Sequence, residues 1–160
     1  MTIESRMREL GLVLPAAFKS PTGAVYPFAW VRVHGNRAYV SGHAPLNPDG
    51  TVAAPLGKVG GEVTLEQGAR AARLTGLAML ASLQRELGEL DRVTGWLRVF
   101  GMVNAAPGFT QMPTVINGFS DLILEVFGRE IGMHSRSAVG MAELPFGIPV
   151  EIEAEVEIRP

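Results

Sequence analysis

The sequence predicts one α/β domain, residues 1–160, in which a mixed β-sheet carries two long helices on one face. Two segments with apolar residues at helical spacing predict the helices, and a turn dipeptide between two apolar runs predicts a strand hairpin. Near the C-terminus, apolar residues alternate with glutamates, which predicts a strand with one solvated face. A chain of 160 residues fits a single domain.

The N-terminal part of the chain predicts a short helix followed by a hairpin. Thr2 can cap a helix over Thr2–Leu10, whereas the Pro and Gly content of Pro15–Pro27 predicts an irregular segment. Phe28–His34 and Arg37–Ser41 then read as two strands, because Gly35-Asn36 between them suits the positive φ of a two-residue turn.

A long loop and the first long helix come next. The loop spans Gly42–Gly61 and contains the turn sequence Asn47–Gly50. Thr64 and Gln67 have the spacing of a capping box, so they predict the start of a helix. Gly88 is placed to end that helix.

The C-terminal half predicts a strand, a helix and two more strands. Thr94–Asn104 reads as a strand, and Gln111–Phe127 as a helix that Gly128 ends. Ser137–Leu144 and Pro149–Ile158 are the last two predicted strands.

Composition limits the function classes. The formal net charge is −2 and no Lys/Arg run occurs, which argues against a nucleic-acid-binding protein. The chain contains no cysteine, so it has no disulfide, thiolate ligand or Cys nucleophile, and it suits the reducing cytoplasm. Its N-terminus lacks the pattern of a signal peptide, and no apolar run reaches the ~18 residues of a membrane span. The positive mean hydropathy of +0.20 predicts an apolar surface used in oligomerisation.

Arg136 and Glu151 are the candidate functional pair. A hairpin through Pro145-Phe146-Gly147 would bring the two side chains near one cavity, where they could bind a carboxylate or exchange protons. The other glutamates of the last strand are expected on a solvated face. The three histidines, His34, His43 and His134, are far apart in the sequence and predict no metal site. Gly57–Gly61 lacks the spacing of a phosphate-binding loop.

Several segments, in this order, resemble the RidA/YjgF family, also called the reactive-intermediate deaminase or L-PSP endoribonuclease family. The resemblance runs from about Phe28 to the C-terminus. Its most specific segments are Ser135–Val139, Ala142–Pro145 and Val150–Ala154, which match an Arg-Ser pair, a Leu-Pro turn and a Glu-containing strand. Val40-Ser41-Gly42 with the following Asn-Pro turn, and Asn117 in the second long helix, match as well.

The resemblance implies a chorismate-mutase-like fold and a homotrimer with ligand sites between subunits. It implies hydrolysis of reactive enamines or imines to 2-keto acids and ammonia, without a metal or an organic cofactor. By this resemblance Arg136 grips the substrate carboxylate and Glu151 helps to activate water. The remaining candidate ligand-binding residues are Ser41, Gly42, Phe28, Asn117 and Ala138.

Three positions depart from the deaminase pattern. Phe28 stands where the family often has Tyr, Ala138 where it has Cys, and His43 where it has Gln, and the N-terminal helix is an addition. Besides a deaminase-like hydrolase or a relative acting on another small carboxylate, a non-catalytic keto-acid-binding protein therefore stays open. Endoribonuclease or translation-inhibitor activity and chorismate-mutase-type activity are further alternatives. Phe28 is expected to form an apolar wall of the ligand cleft.

Overall fold

The structure is a computed structural model that describes residues 1–160. Its three helices and five strands follow the predicted order. The helices are α1 (Ile3–Glu9), α2 (Leu65–Leu87) and α3 (Met112–Gly132). The strands are β1 (Val31–His34), β2 (Arg37–His43), β3 (Val93–Asn104), β4 (Ser135–Met141) and β5 (Val150–Ile158). No helix combines the length and the apolarity that a bilayer-spanning segment needs.

The five strands form one mixed sheet in the order β1-β2-β5-β3-β4. Strand β4 runs parallel to β3, and the other neighbours are antiparallel. The predicted hairpin is present, with Gly35 at a φ of 60° in its turn. Strands β1 and β4 are the two edges of the sheet.

Helices α2 and α3 pack against each other and cover one face of the sheet, as predicted. Thr64 and Gln67 form both hydrogen bonds of the capping box at the start of α2. The two helices approach closely because Gly118 has no side chain: a β-carbon there would overlap the backbone carbonyl of Ala69. The core between helices and sheet is apolar, with Trp96, Phe119 and Leu80 among its fully buried side chains.

Several predicted boundaries were wrong. Strand β1 begins at Val31 rather than Phe28, and β2 continues to His43 rather than ending at Ser41. Gly128 interrupts α3, with a φ of 73° and a ψ of 173°, but the chain re-enters the helix and continues to Gly132. Strand β4 begins at Ser135 and ends at Met141, earlier than the predicted Ser137–Leu144, because its partner is β3 rather than the following strand.

The irregular segment before β1 is tied to the long loop after β2. The Ala16 and Lys19 amides donate hydrogen bonds to the carbonyls of Pro48 and Gly50. Gly50, at a φ of 88°, lies so close to the Ala17 carbonyl that a β-carbon would overlap it. The predicted turn at Asn47–Gly50 therefore fixes the segment that precedes the first strand.

Candidate functional site

Arg136 and Glu151 lie on opposite faces of the sheet. Val99 and Val150 are fully buried beneath the helices, and Arg136 is the register partner of Val99. Glu151 directly follows Val150, so its side chain points to the other face. The expected hairpin between their strands was wrong, since β3 lies between β4 and β5. Within one protomer the two residues therefore do not share a cavity.

The Arg136 guanidinium is bound by α3. Its Nη1 donates to the Ser120 hydroxyl at 2.9 Å, and its Nη2 donates to Asn117 Oδ1 at 2.7 Å and to the Pro113 carbonyl at 3.0 Å. A guanidinium has five N–H groups, so these contacts leave two for a ligand. Partial burial lowers the pKa of Arg136, but the group stays a cation at neutral pH.

His134 orients the hydroxyl that holds Arg136. Its Nδ1 is 2.7 Å from the Gly132 carbonyl, so this nitrogen carries the proton. Its Nε2 then accepts from the Ser120 hydroxyl at 2.9 Å, which leaves an oxygen lone pair for Arg136. Burial lowers the pKa of His134. This favours the neutral ring, whose Nε2 can accept the hydrogen bond from Ser120.

On the other face, Glu151 lines a cavity of about 290 Å³. Twelve residues line it, eight of them hydrophobic. The polar side chains among them are few, and Glu151 is the only carboxylate. Phe28 lines the same cavity, but Arg136 of the same protomer does not, so the cleft that Phe28 was expected to share with Arg136 is not formed within one protomer.

The Glu151 carboxylate occupies space left open by Gly42. A β-carbon on Gly42 would overlap Oε2 of Glu151, so only glycine permits this arrangement. The strand pairing shifts register between Val40 and His43, which marks a bulge at this point. Burial, and then the nearby Glu153 carboxylate, raise the pKa of Glu151, which brings a carboxyl group closer to use as an acid or base at neutral pH.

His43 fixes the end of this bulge. Its Nδ1 lies 2.5 Å from the Ser41 carbonyl and its Nε2 lies 2.8 Å from the Ser82 hydroxyl, to which Arg85 donates at 3.2 Å. Burial lowers the pKa of His43 to about 4, so the ring is neutral at neutral pH. Both nitrogens have protein partners, and His43 is therefore a positioning residue rather than a proton donor to the cavity.

The predicted site residues fall into two groups. Phe28, Gly42 and Glu151 line the cavity, and Ser41 lies beside it, where its hydroxyl donates to the Ala29 carbonyl at 2.7 Å. On the helix-covered face, Asn117 contacts Arg136 and Ala138 packs against the core. No group of three or more His, Asp or Glu side chains is arranged to hold a metal ion.

Sequence reasoning missed three Phe or Tyr side chains of the cavity that lie outside the predicted strands: Phe18, Tyr26 and Phe146. Tyr26, Phe28 and Trp30 are spaced two residues apart, a period that could have suggested a common face. No local pattern could have paired Phe146 with them. The two histidine–serine contacts were missed as well, because each joins residues from different elements.

A family model described as "YjgF/chorismate mutase-like, putative endoribonuclease" matches residues 4–148. Protein TCP17 of Trypanosoma cruzi is 41% identical over 158 residues, which covers 98% of this chain and 94% of that protein. Among solved structures, Atu1372 of Agrobacterium tumefaciens, a protein of unknown function, is 39% identical with a TM-score of 0.85 and covers 98% of this chain and 92% of that chain.

Two solved structures with lower sequence identity to this chain are also similar in fold. A "putative endoribonuclease" from Shewanella oneidensis is 29% identical with a TM-score of 0.89, covering 99% of this chain and 100% of that chain. The YjgF protein of Escherichia coli, at 20% identity and a TM-score of 0.61 over 92% of this chain and 99% of that chain, shares the fold.

Proposed function

Since this chain belongs to the YjgF/chorismate mutase-like family, we propose that it hydrolyses reactive imines or enamines of small carboxylic acids to 2-keto acids and ammonia. The observation that carries the proposal is the Glu151 carboxylate. It is partly buried in an apolar cavity, and its pKa is raised. Such a group can accept a proton from water and return it later in the reaction.

The site is completed by a second copy of the chain. Arg136 and Glu151 face opposite sides of the sheet within one protomer. An arrangement that uses both must therefore take them from two protomers. Arg136 lies on the edge strand β4, where a neighbouring copy can approach it. We place the two groups together in a homotrimer with intersubunit clefts, as the family resemblance implies.

Hydrolysis proceeds by addition and elimination. Glu151 accepts a proton from water as the water oxygen bonds to the imine carbon. The substrate is an N-protonated imine, so the C=N π-electron pair moves to its nitrogen and neutralises it, and the nitrogen then takes up the proton held by Glu151. The carbinolamine then collapses: the C–N bond breaks, ammonia leaves, and the hydroxyl proton is released as the C=O bond forms. Arg136 holds the substrate carboxylate, so that the imine carbon stays beside the water.

Ammonia release tests this proposal. Imines are generated in situ from amino acids by an amino-acid oxidase, and ammonia formation is followed with and without the protein. We expect faster release with the protein and a loss of at least about tenfold in Glu151→Gln, because an amide cannot accept the water proton. Glu157→Gln is the matched control, since Glu157 lies on the same strand, is outside the cavity and, unlike Glu153, does not raise the pKa of Glu151.

A binding protein without turnover is the second candidate. Phe28 and Ala138 lack the hydroxyl and thiol of the family pattern, and three of the Arg136 N–H groups are already bound by α3. Saturable 2-keto-acid binding without any acceleration of ammonia release would favour this candidate and contradict the hydrolase proposal.

A further inference from the structure

Five aromatic side chains form a wall around the cavity that contains Glu151. Neighbouring ring centroids in this wall are 5.0 to 6.3 Å apart, and the pairs are stacked, tilted or edge-to-face. The aromatic wall consists of Phe18, Tyr26, Phe28, Trp30 and Phe146. Four of its rings come from the irregular segment before β1, and Phe146 comes from the turn before β5.

The aromatic wall is not part of the core. Phe28 is 50% exposed and Phe146 is 38% exposed, so both rings keep a face open to solvent. Phe146 also has a φ of 60° and is the only non-glycine residue with a positive φ. A concave cluster of exposed aromatic rings favours a ligand that covers apolar surface.

Within one protomer, the charge of the cavity comes from one residue. Glu151 and His43 are the only ionisable groups of its lining besides the Tyr26 phenol. His43 is neutral, and both of its nitrogens have protein partners. The part of the site that one protomer supplies is therefore negative when Glu151 is ionised, and a cation bound beside Glu151 would offset the burial and the Glu153 repulsion that raise the pKa of Glu151.

Aromatic faces add to this preference. The π-electrons of Trp, Tyr and Phe attract a cation placed over the ring, most strongly at desolvated sites. A carboxylate beside such rings distinguishes a cationic nitrogen from a neutral group of the same shape. The cavity volume of about 290 Å³ equals that of about ten water molecules, which is room for a ring or a branched chain in addition to the nitrogen.

We propose that this cavity binds a cationic nitrogen that carries a bulky apolar group, with the aromatic wall around the apolar group and Glu151 beside the nitrogen. The inference rests on the proposed function in taking the cavity as the ligand site. For an imine substrate, it names the class: N-protonated imines with an aromatic or branched side chain, in preference to those with a methyl group.

Binding of charged and neutral probes tests the inference without any turnover. Choline and benzyltrimethylammonium are the cations, and 3,3-dimethylbutan-1-ol has the shape of choline without its charge. Trp30 fluorescence reports occupancy in a Trp96→Phe background, because Trp96 is the other tryptophan and is buried with an unpaired indole N–H that phenylalanine lacks. We expect both cations to change Trp30 emission at millimolar concentration, with the neutral alcohol about tenfold weaker or more.

Two variants test whether the charge of Glu151 causes the preference for cations over the neutral alcohol. In Glu151→Gln, choline affinity should fall about tenfold and affinity for the neutral alcohol should stay unchanged. Glu157→Gln, on the same strand but outside the cavity, should change neither. Equal affinity for choline and the alcohol in the parent protein, or no change of Trp30 emission with either cation, would overturn the inference. Near-UV circular dichroism of each variant verifies that its tertiary packing is intact.

Turnover separates this inference from the proposed function. Imines derived from phenylalanine should release ammonia about tenfold faster than those from alanine at equal low concentration, since the aromatic wall contacts only the larger side chain. Cation binding without any imine hydrolysis would contradict the proposed function and leave the ligand class standing. Hydrolysis of alanine-derived imines without cation binding would overturn the ligand class alone.

Discussion

Gly42 provides the space that the Glu151 carboxylate occupies, since a β-carbon at position 42 would overlap Oε2 of Glu151. The overlap involves the end of a flexible side chain, so the glutamate can move aside at little cost to folding. The position of the carboxylate in the cavity thus depends on a residue that itself carries no functional group.

Gly42→Ala should displace Glu151 while the fold stays intact. We expect ammonia release to fall about tenfold or more, since small displacements of a catalytic group have large effects on rate, with a melting temperature close to that of the parent. Gly95→Ala is the control, because a β-carbon there meets only ordinary contacts with Leu97 and Glu157. Full activity in Gly42→Ala would show that the carboxylate position is immaterial.

Arg136→Ala should abolish binding of small carboxylates such as pyruvate. A charge-assisted hydrogen bond contributes about 1.5–3 kcal/mol, so affinity should fall by more than tenfold. Arg136→Lys should recover only part of it, because an ammonium lacks the planar array of donors. Affinity and melting temperature are measured on the same preparations. If the melting temperature drops and affinity follows only the folded fraction, Arg136 is merely a tie between β4 and α3.

Asn117→Asp should block the same ligands by a different route. An aspartate there would place a full negative charge 2.7 Å or so from Nη2 of Arg136, in the place of the present amide oxygen. This carboxylate would neutralise Arg136 and repel an incoming carboxylate, whereas Asn117→Ala would release a donor. Isothermal titration calorimetry should therefore show the lowest pyruvate affinity for Asn117→Asp. The affinity of Asn117→Ala should be at least that of the parent. The reverse order would exclude Arg136 as the anchor.

His43 should make the fold less stable in mild acid. Its pKa is about 4 in the folded protein against 6.5 for an ordinary histidine. Between these values the unfolded chain takes up a proton that the folded protein does not, so stability is fully present above about pH 6.5 and is lost as the pH falls towards 4. The loss amounts to about 3 kcal/mol.

Urea unfolding at pH 7 and pH 4 measures this effect as a difference between the parent and His43→Gln. Glutamine cannot titrate, so the free energy of unfolding of the variant should fall by about 3 kcal/mol less than that of the parent between pH 7 and pH 4. The carboxylates titrate equally in both proteins and cancel in the comparison. Parallel pH profiles would show that His43 is not buried as a neutral ring.

Light scattering should give a mass three times the 17.1 kDa of one chain. The sheet face opposite the helices carries Phe100 next to Glu153, along with the half-exposed Tyr39. Phe100→Glu would place like charges side by side on that face and should shift the protein towards monomers. Arg70→Glu, which puts the same group on the helical layer, should leave the trimer intact. A monomeric parent at micromolar concentration would remove the intersubunit site.

Local patterns predicted most of the fold and less of the site. The capping box at Thr64 and the alternation along β5 are determined by neighbouring residues, so both were confirmed. The partner of β4 depends on where a helical crossover returns the chain, which no local period encodes. For this reason the sequence could nominate Arg136 and Glu151 but could not tell that the two side chains point to opposite faces.

The close contact between Gly50 and the Ala17 carbonyl fixes the segment before β1 independently of the sheet. Phe18, Tyr26 and Phe28 stand on a segment outside the sheet, whereas Glu151 belongs to a central strand. Mutations in the segment can therefore change the lining of the cavity without changing the strand that carries the carboxylate. The aromatic part of the lining is thus free to diverge, provided that position 50 stays glycine and keeps the segment packed against the long loop.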